Sequence, residues 1–230
     1  MTFLRLILQI DPIPAEQVGE IKLTLLDLAI KGGWVMIPIV LLSFVAAYIF
    51  IERYYVIRNS TKEDMNFMNR IKDYIHDGKI DAALALCRST EGPSARMIEK
   101  GVNRLGRPLQ DISTAIESVG KLEIAKLEKG FPTLATIAGA EPMLGFLGTV
   151  IGMVKSFMAM SQAGNNIDVS MMSGGIYTAL ITTAAGLSVG ILCYFAYNTL
   201  VVKVERVVYN LEATLTEFMD ILNEPLKTES

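Results

Sequence analysis

Two apolar segments, residues 134–160 and 172–202, constrain this chain more than any other feature. Each is long enough to cross a bilayer, for which about 20 apolar residues suffice. Neither reads as a passive anchor. The first carries Gly145, Gly148, Thr149 and Gly152, and the second carries Thr178, Thr182, Thr183, Gly186 and Gly190. A helix facing only lipid has no need of stacked glycines and hydroxyls. Residues of this kind let helix backbones approach closely and place polar groups at membrane depth. The pattern points to an ion-handling membrane protein.

A third window, residues 34–51 (WVMIPIVLLSFVAAYIFI), has no charge at all. With 51% apolar residues and a mean hydropathy of +0.40, the chain reads as a three-span, all-α membrane protein. The net charge of −3 and the scattered basic residues argue against a nucleic-acid partner. Fourteen of the 21 Lys and Arg fall between Glu52 and Lys129. Arg53, Arg58, Lys126, Lys129, Lys203 and Arg206 flank one side of the spans, whereas residues 161–171 contain no basic residue. The positive-inside rule then places the long connection and the C-terminus in the cytoplasm and the N-terminus outside.

The expected organisation is an extracytoplasmic amphipathic segment (1–31), a first span (32–52), a cytoplasmic helical region (53–133), a second span (134–160), an outer loop (161–171), a third span (172–202) and a cytoplasmic helix and tail (203–230). MTFLRLILQI is too short for a span and lacks a cleavage pattern, so residues 16–30 are expected to lie as an amphipathic helix on the outer surface. Within the cytoplasmic region, helices are expected over Glu52–His76, Lys79–Ser89, a stretch ending at Leu105, and Asp111–Lys129. Charges there, Lys121, Glu123 and Lys126 among them, read as solvated helix faces. Beyond the third span, Val204, Val207, Val208, Leu211, Leu215, Phe218, Met219 and Leu222 recur at helical spacing, giving a helix that packs on the cytoplasmic region.

Signals for covalent chemistry are missing. Cys87 and Cys193 fall in different compartments of this topology and have no partner at metal-ligand spacing. His76, the single histidine, reads as solvated, and no phosphate loop, nucleophile elbow or zinc signature appears. Neither an enzyme nor a metal or cofactor site is expected.

The short outer connection makes the second and third spans antiparallel. Thr149 lies eleven residues from Met160, and Thr183 lies eleven from Met172. Both are therefore roughly 16 Å deep, near the bilayer midplane. Gly145, Thr149, Gly152 and Ser156 form one row of small residues, and Ala179, Thr183, Gly186 and Gly190 form another. A membrane threonine can simply bond the carbonyl four residues before it. Matched threonines within such rows are candidates for pore lining or packing, and Thr178 and Thr182 make a second row that could face the same lumen. Gly145, Gly148, Gly152, Gly186 and Gly190 are the candidate packing residues, and Pro142 is the candidate hinge. Glu141, beside that proline, is either an ionisable group at membrane depth or an interfacial carboxylate paired with Lys126, Lys129 or an arginine of the cytoplasmic helices. Lys155 snorkels toward the outer interface.

GAEPMLGFLGTVIGMVKSF followed by GGIYTALITTAAGLSVGILCYFAYN resembles the signature hairpin of the MotA/TolQ/ExbB proton channel family, with ExbB/TolQ-type subunits most similar. FIERYYVIR and KLEKGFPTLATIAG add to the likeness, which spans Trp34 to about Leu222. The resemblance implies a homopentamer whose pore holds the single-span helices of an ExbD/TolR-like partner, with proton-motive force passed to a TonB- or TolA-like effector in the inner membrane of a Gram-negative bacterium. It also implies that the functional threonines are Thr149 and Thr183. One departure matters. The family's GIAEAL-like block reads Gly175-Ile176-Tyr177-Thr178-Ala179-Leu180, so Thr178 stands where a glutamate is expected. The titrating carboxylate is then expected on the partner helix. The implied role is a stator subunit powering outer-membrane import. The alternatives are a motor for envelope integrity or motility, or a non-conducting scaffold. A secondary transporter is disfavoured because three spans offer no inverted repeat.

Overall fold

The computed structural model describes residues 31–60, 66–163 and 169–223. The expected amphipathic segment at 16–30, residues 164–168 of the outer loop and the C-terminal tail lie outside them. The described residues form seven helices and no strand: α1 Met36–Ser60, α2 Phe67–His76, α3 Ile80–Ser89, α4 Pro93–Val102, α5 Leu109–Leu127, α6 Phe131–Ala163 and α7 Val169–Asn223. An all-helical answer follows from the solvent, because a lone segment in hydrocarbon must satisfy its backbone hydrogen bonds internally. Three stretches of helix, within α1, α6 and α7, are long and apolar enough to cross a membrane.

Helix limits follow local chemistry. Pro93 and Pro132 sit in the first turns of α4 and α6, where the missing N–H costs nothing. Gly78 ends α2 with a φ of 70°, as the Asp77-Gly78 dipeptide suggests. Gly130 has a φ of 89° and turns α5 directly into α6; a Cβ there would lie 3.2 Å from Ile49 Cγ2 of α1. The expected Glu52–His76 helix is two pieces. The end of α1 runs on to Ser60, and a separate α2 begins at Phe67.

α7 is continuous over 55 residues. Its outer portion pairs antiparallel with α6, and its remainder leaves the apolar zone and becomes the spine of the helical region. Leu200, Val204, Val207, Leu211, Thr214, Phe218 and Ile221 are all buried and alternate at four- and three-residue steps. That stripe shares one core with Ile57 of α1, Phe67 and Ile71 of α2, Ile98 and Val102 of α4, and Ile112 and Ile116 of α5. The amphipathic helix expected after residue 203 is thus packed as the spacing indicates.

Two charges depart from the expectation of solvated faces. Arg53, only 8% exposed, donates from Nη1 to the Lys126 carbonyl at 3.0 Å and pairs through Nη2 with Glu52. Glu123, 4% exposed, receives Arg96 Nη1 and Lys126 Nζ, each at 2.5 Å. Its partner Arg96 comes from a different helix, which helical spacing alone does not reveal. The two contacts meet at Lys126 and fasten the inner end of α1 to the end of α5. Lys203 Nζ lies 4.8 Å from the Tyr54 ring centre and ties α7 to the same collar.

Both cysteines are free and buried. Burial pushes the Cys87 thiol up to about 12, with the negative charge of Glu99 adding to the effect. Since the thiolate is the nucleophile, maleimide should leave Cys87 unlabelled near neutral pH in folded protein and label it after denaturation. Mass spectrometry of the two samples checks this; rapid labelling of the folded form would contradict the packing.

Candidate functional site

α6 and α7 meet along a seam of small residues. Glu141, Gly145, Gly148, Gly152 and Ser156 are the buried positions on the α6 side, and Ala179, Thr182, Gly186 and Gly190 face them from α7. The approach is nearly backbone to backbone. A Cβ on Gly186 would come within 2.5 Å of the Glu141 carbonyl oxygen and 2.9 Å of Gly145 Cα. One on Gly152 would lie 2.6 Å from the Gly175 carbonyl, and one on Gly190 would lie 2.8 Å from the Pro142 ring. Such contact replaces the hydrophobic driving force that lipid cannot supply between helices.

The hydroxyls divide into distinct roles. Thr183 Oγ1 donates across the seam to the Gly145 carbonyl at 3.0 Å. Ser156 Oγ donates to the Met172 carbonyl at 3.0 Å, closing the hairpin near its turn. Thr182 is fully buried, sits against Gly148, and bonds within its own helix to the Ala179 and Thr178 carbonyls. Thr149 lies half-buried on the flank of α6 and donates to the Phe146 carbonyl at 2.6 Å. The seam therefore passes through Gly148 and Thr182, one position away from the Thr149 and Thr183 of the sequence-derived rows. Thr149 and Thr183 each bond a carbonyl; neither bonds the other.

Thr178, at the position where the resemblance leads one to expect glutamate, is half-buried on α7 and donates to the Lys31 carbonyl at 3.0 Å and the Gly174 carbonyl at 3.1 Å. Lys31 Nζ lies 5.5 Å from the Tyr177 ring centre. The residues leading into α1 thus rest on the third span at its outer end. Pro142 lies inside α6 with its ring over Gly190, and Lys155 is exposed. Glu141 is completely buried, and neither of its carboxyl oxygens has a hydrogen-bond partner. The interfacial pairing considered for it does not occur here, because Lys126 is engaged by Glu123 and Arg53 is held at the Lys126 carbonyl. Two contributors escaped sequence reasoning. Gly175 leaves the space that Ser156 Oγ fills, and the Gly174-Gly175 pair was its only signal. Cys193, close enough to Glu141 to interact electrostatically, had none.

Around the seam, large apolar side chains are displaced outward: Phe146 and Leu180 on the hairpin are 68% and 63% exposed, and Phe44 on α1 is 70% exposed. Apolar surface on this scale belongs against lipid or other subunits. The arrangement offers hydroxyl groups along a helical hairpin but, among the described residues, no cluster of His, Cys, Asp and Glu that could hold a metal ion.

Comparison with known proteins adds a family. The model of the MotA/TolQ/ExbB proton channel family matches residues 89–213. The Tol-Pal system protein TolQ of Haemophilus influenzae is 31% identical over 217 residues, covering 88% of this chain and 95% of that protein. An ExbB-like biopolymer transport protein of Synechocystis is 32% identical over 191 residues, 77% of this chain and 70% of that one. An ExbB homolog of Methanothermobacter thermautotrophicus is 27% identical over 190 residues, covering 82% and 67%.

The seam makes two predictions for thermal unfolding of detergent-solubilised protein. Gly186→Ala drives a methyl into backbone and should cost about 1–3 kcal/mol, whereas Gly139→Ala, with nothing within 4 Å of its Cβ, should cost nothing. Thr183→Val removes an interhelical bond and should cost about 0.6 kcal/mol or somewhat more, while Thr149→Val, which loses only a bond within its own helix, should unfold like the wild type.

Proposed function

The chain belongs to the MotA/TolQ/ExbB proton channel family, and from that premise we propose that it is the stator subunit of a complex driven by proton-motive force. As a multi-pass membrane protein with three apolar helices, it would sit in the inner membrane of a Gram-negative bacterium, N-terminus in the periplasm and C-terminus in the cytoplasm. The basic collar of Arg53, Lys126, Lys129 and Lys203 at one end of the spans supports that orientation.

The observation that carries the reading is the hairpin itself. Its hydroxyls lie on and beside a seam too tight to conduct, and Thr178 puts a hydroxyl, not a carboxyl, on the flank. In this proposal a homopentamer surrounds an ExbD/TolR-like single-span partner. Thr149 and Thr183 face the proton path, with Thr178 alongside, and the titrating carboxylate belongs to the partner. Thr182 would act from within the seam by holding the hairpin's shape. Broad exposed apolar faces on the spans supply surface for neighbouring copies. The complex would work a TonB-like effector for outer-membrane import. A second reading, a TolQ-like role in envelope integrity with a TolA-like effector, is favoured by the alignment that covers 95% of the Haemophilus TolQ.

Proteoliposomes containing this chain with its single-span partner should conduct protons, and those containing this chain alone should not. Thr149→Ala should lower flux by about tenfold, the rate equivalent of one lost hydrogen bond near 1.4 kcal/mol, with the oligomer intact on gel filtration. Full flux in that variant would sink the threonine assignment. Deleting the gene separates the two readings: lost uptake of a large outer-membrane substrate supports import, and a leaky, detergent-sensitive envelope supports the second.

A further inference from the structure

Glu141 is a buried carboxyl group with nothing bonded to it. Its side chain is 0% exposed, and both carboxyl oxygens are buried without a partner. Pro142, which follows it, has no N–H, so the Ala138 carbonyl loses its ordinary intrahelical donor. That carbonyl points at Gly190, whose Cβ would lie 3.3 Å from it. At the same level the Gly186 backbone is pressed against Glu141's own backbone carbonyl, so the two helices leave no room between them.

No cation is at hand. Across the seam, the titratable neighbour on α7 is the Cys193 thiol, a weak donor at best. On α1, the stretch from Met36 to Ile51 has Tyr48 as its single titratable side chain, and that ring is 68% exposed. On α6 itself Lys155 is exposed, and Lys129, just before the helix, is exposed too. An isolated carboxylate in apolar surroundings is costly enough that such groups neutralise instead. A single added proton removes the charge.

We propose that Glu141 is a proton-binding site belonging to this chain, occupied at rest as a neutral carboxylic acid sealed in the α6/α7 seam. It is separate from any carboxylate a partner helix contributes, and it goes beyond the pore-lining role of the threonines. Release of the proton to water leaves a negative charge where Gly145 and Gly186 meet backbone to backbone, with no room for hydration. Deprotonation therefore requires α6 and α7 to part at Gly186 and Gly190. The charge on Glu141 and the closure of the hairpin are one equilibrium.

The test uses the full-length protein in lipid nanodiscs, without partner or flux, so its outcome does not depend on the stator assignment. Dicyclohexylcarbodiimide adds to protonated carboxyl groups in apolar surroundings. Near neutral pH it should form an adduct on Glu141, mapped by peptide mass spectrometry, and Glu141→Gln should lose that adduct. Infrared spectra should contain a protonated-acid C=O band in the wild type that the variant lacks. The amide is isosteric with the neutral acid, so the variant should keep the wild-type unfolding midpoint near neutral pH. Should it fail to fold, the wild type alone decides, because band and adduct should both disappear in alkaline buffer. An unlabelled Glu141 with no acid band near neutral pH would overturn the proposal, as would a band and adduct unaffected by alkali.

Discussion

Everything in this molecule depends on how closely α6 and α7 approach. Glycines on both sides bring carbonyl oxygens and Cα atoms of one helix against those of the other, a fit that long side chains would prevent. Because only small side chains such as Thr182 and Ser156, apart from Glu141, occupy the seam, dispersion and a few hydroxyl-to-carbonyl bonds hold it together. The same fit pushes the bulky residues outward. Phe146, Leu180, Leu192 and Phe195 end on the exterior because the interior has no volume for them. Surface character and internal packing are thus two results of one constraint.

A second set of contacts sets the inner end of the spans. Arg53 reaches from α1 to the last turn of α5, and the buried Glu123 gathers the exposed side chains of Arg96 and Lys126 from two helices. Removing water from charged groups is expensive unless each is bonded, so the two buried members, Arg53 and Glu123, depend on these bonds. These contacts join the membrane portion to the helical region at fixed positions. The hairpin and the helical region share a single continuous core through Leu134, Cys193, Leu200 and Val204.

Much of this architecture was legible in the residues. Charge-free stretches of sufficient length leave few options in a bilayer, and a dozen connecting residues leave only an antiparallel pair. Glycines at three- and four-residue steps marked the contact stripe. What the pattern did not resolve was the stripe's centre. Successive residues on a helix are about 100° apart, so Gly148 against Thr149, or Thr182 against Thr183, is decided by the partner helix and not by spacing. Helical spacing alone makes Glu123 look solvated, because its ion-pair partner Arg96 arrives from a different helix. Glu141 stood out in sequence by its position, but only three-dimensional packing reveals that the nearby cations are engaged or face outward.

The unbroken course of α7 has a mechanical consequence. At 1.5 Å per residue its 55 residues measure about 80 Å, from beside Ser156 at the outer end to Phe218 deep in the helical region. A rod of that length converts angle into distance. A tilt of about 3° at the hairpin moves the far end by roughly 4 Å, close to the width of a side chain. The helices packed around that end would feel an event at the membrane as a sideways displacement within their own core.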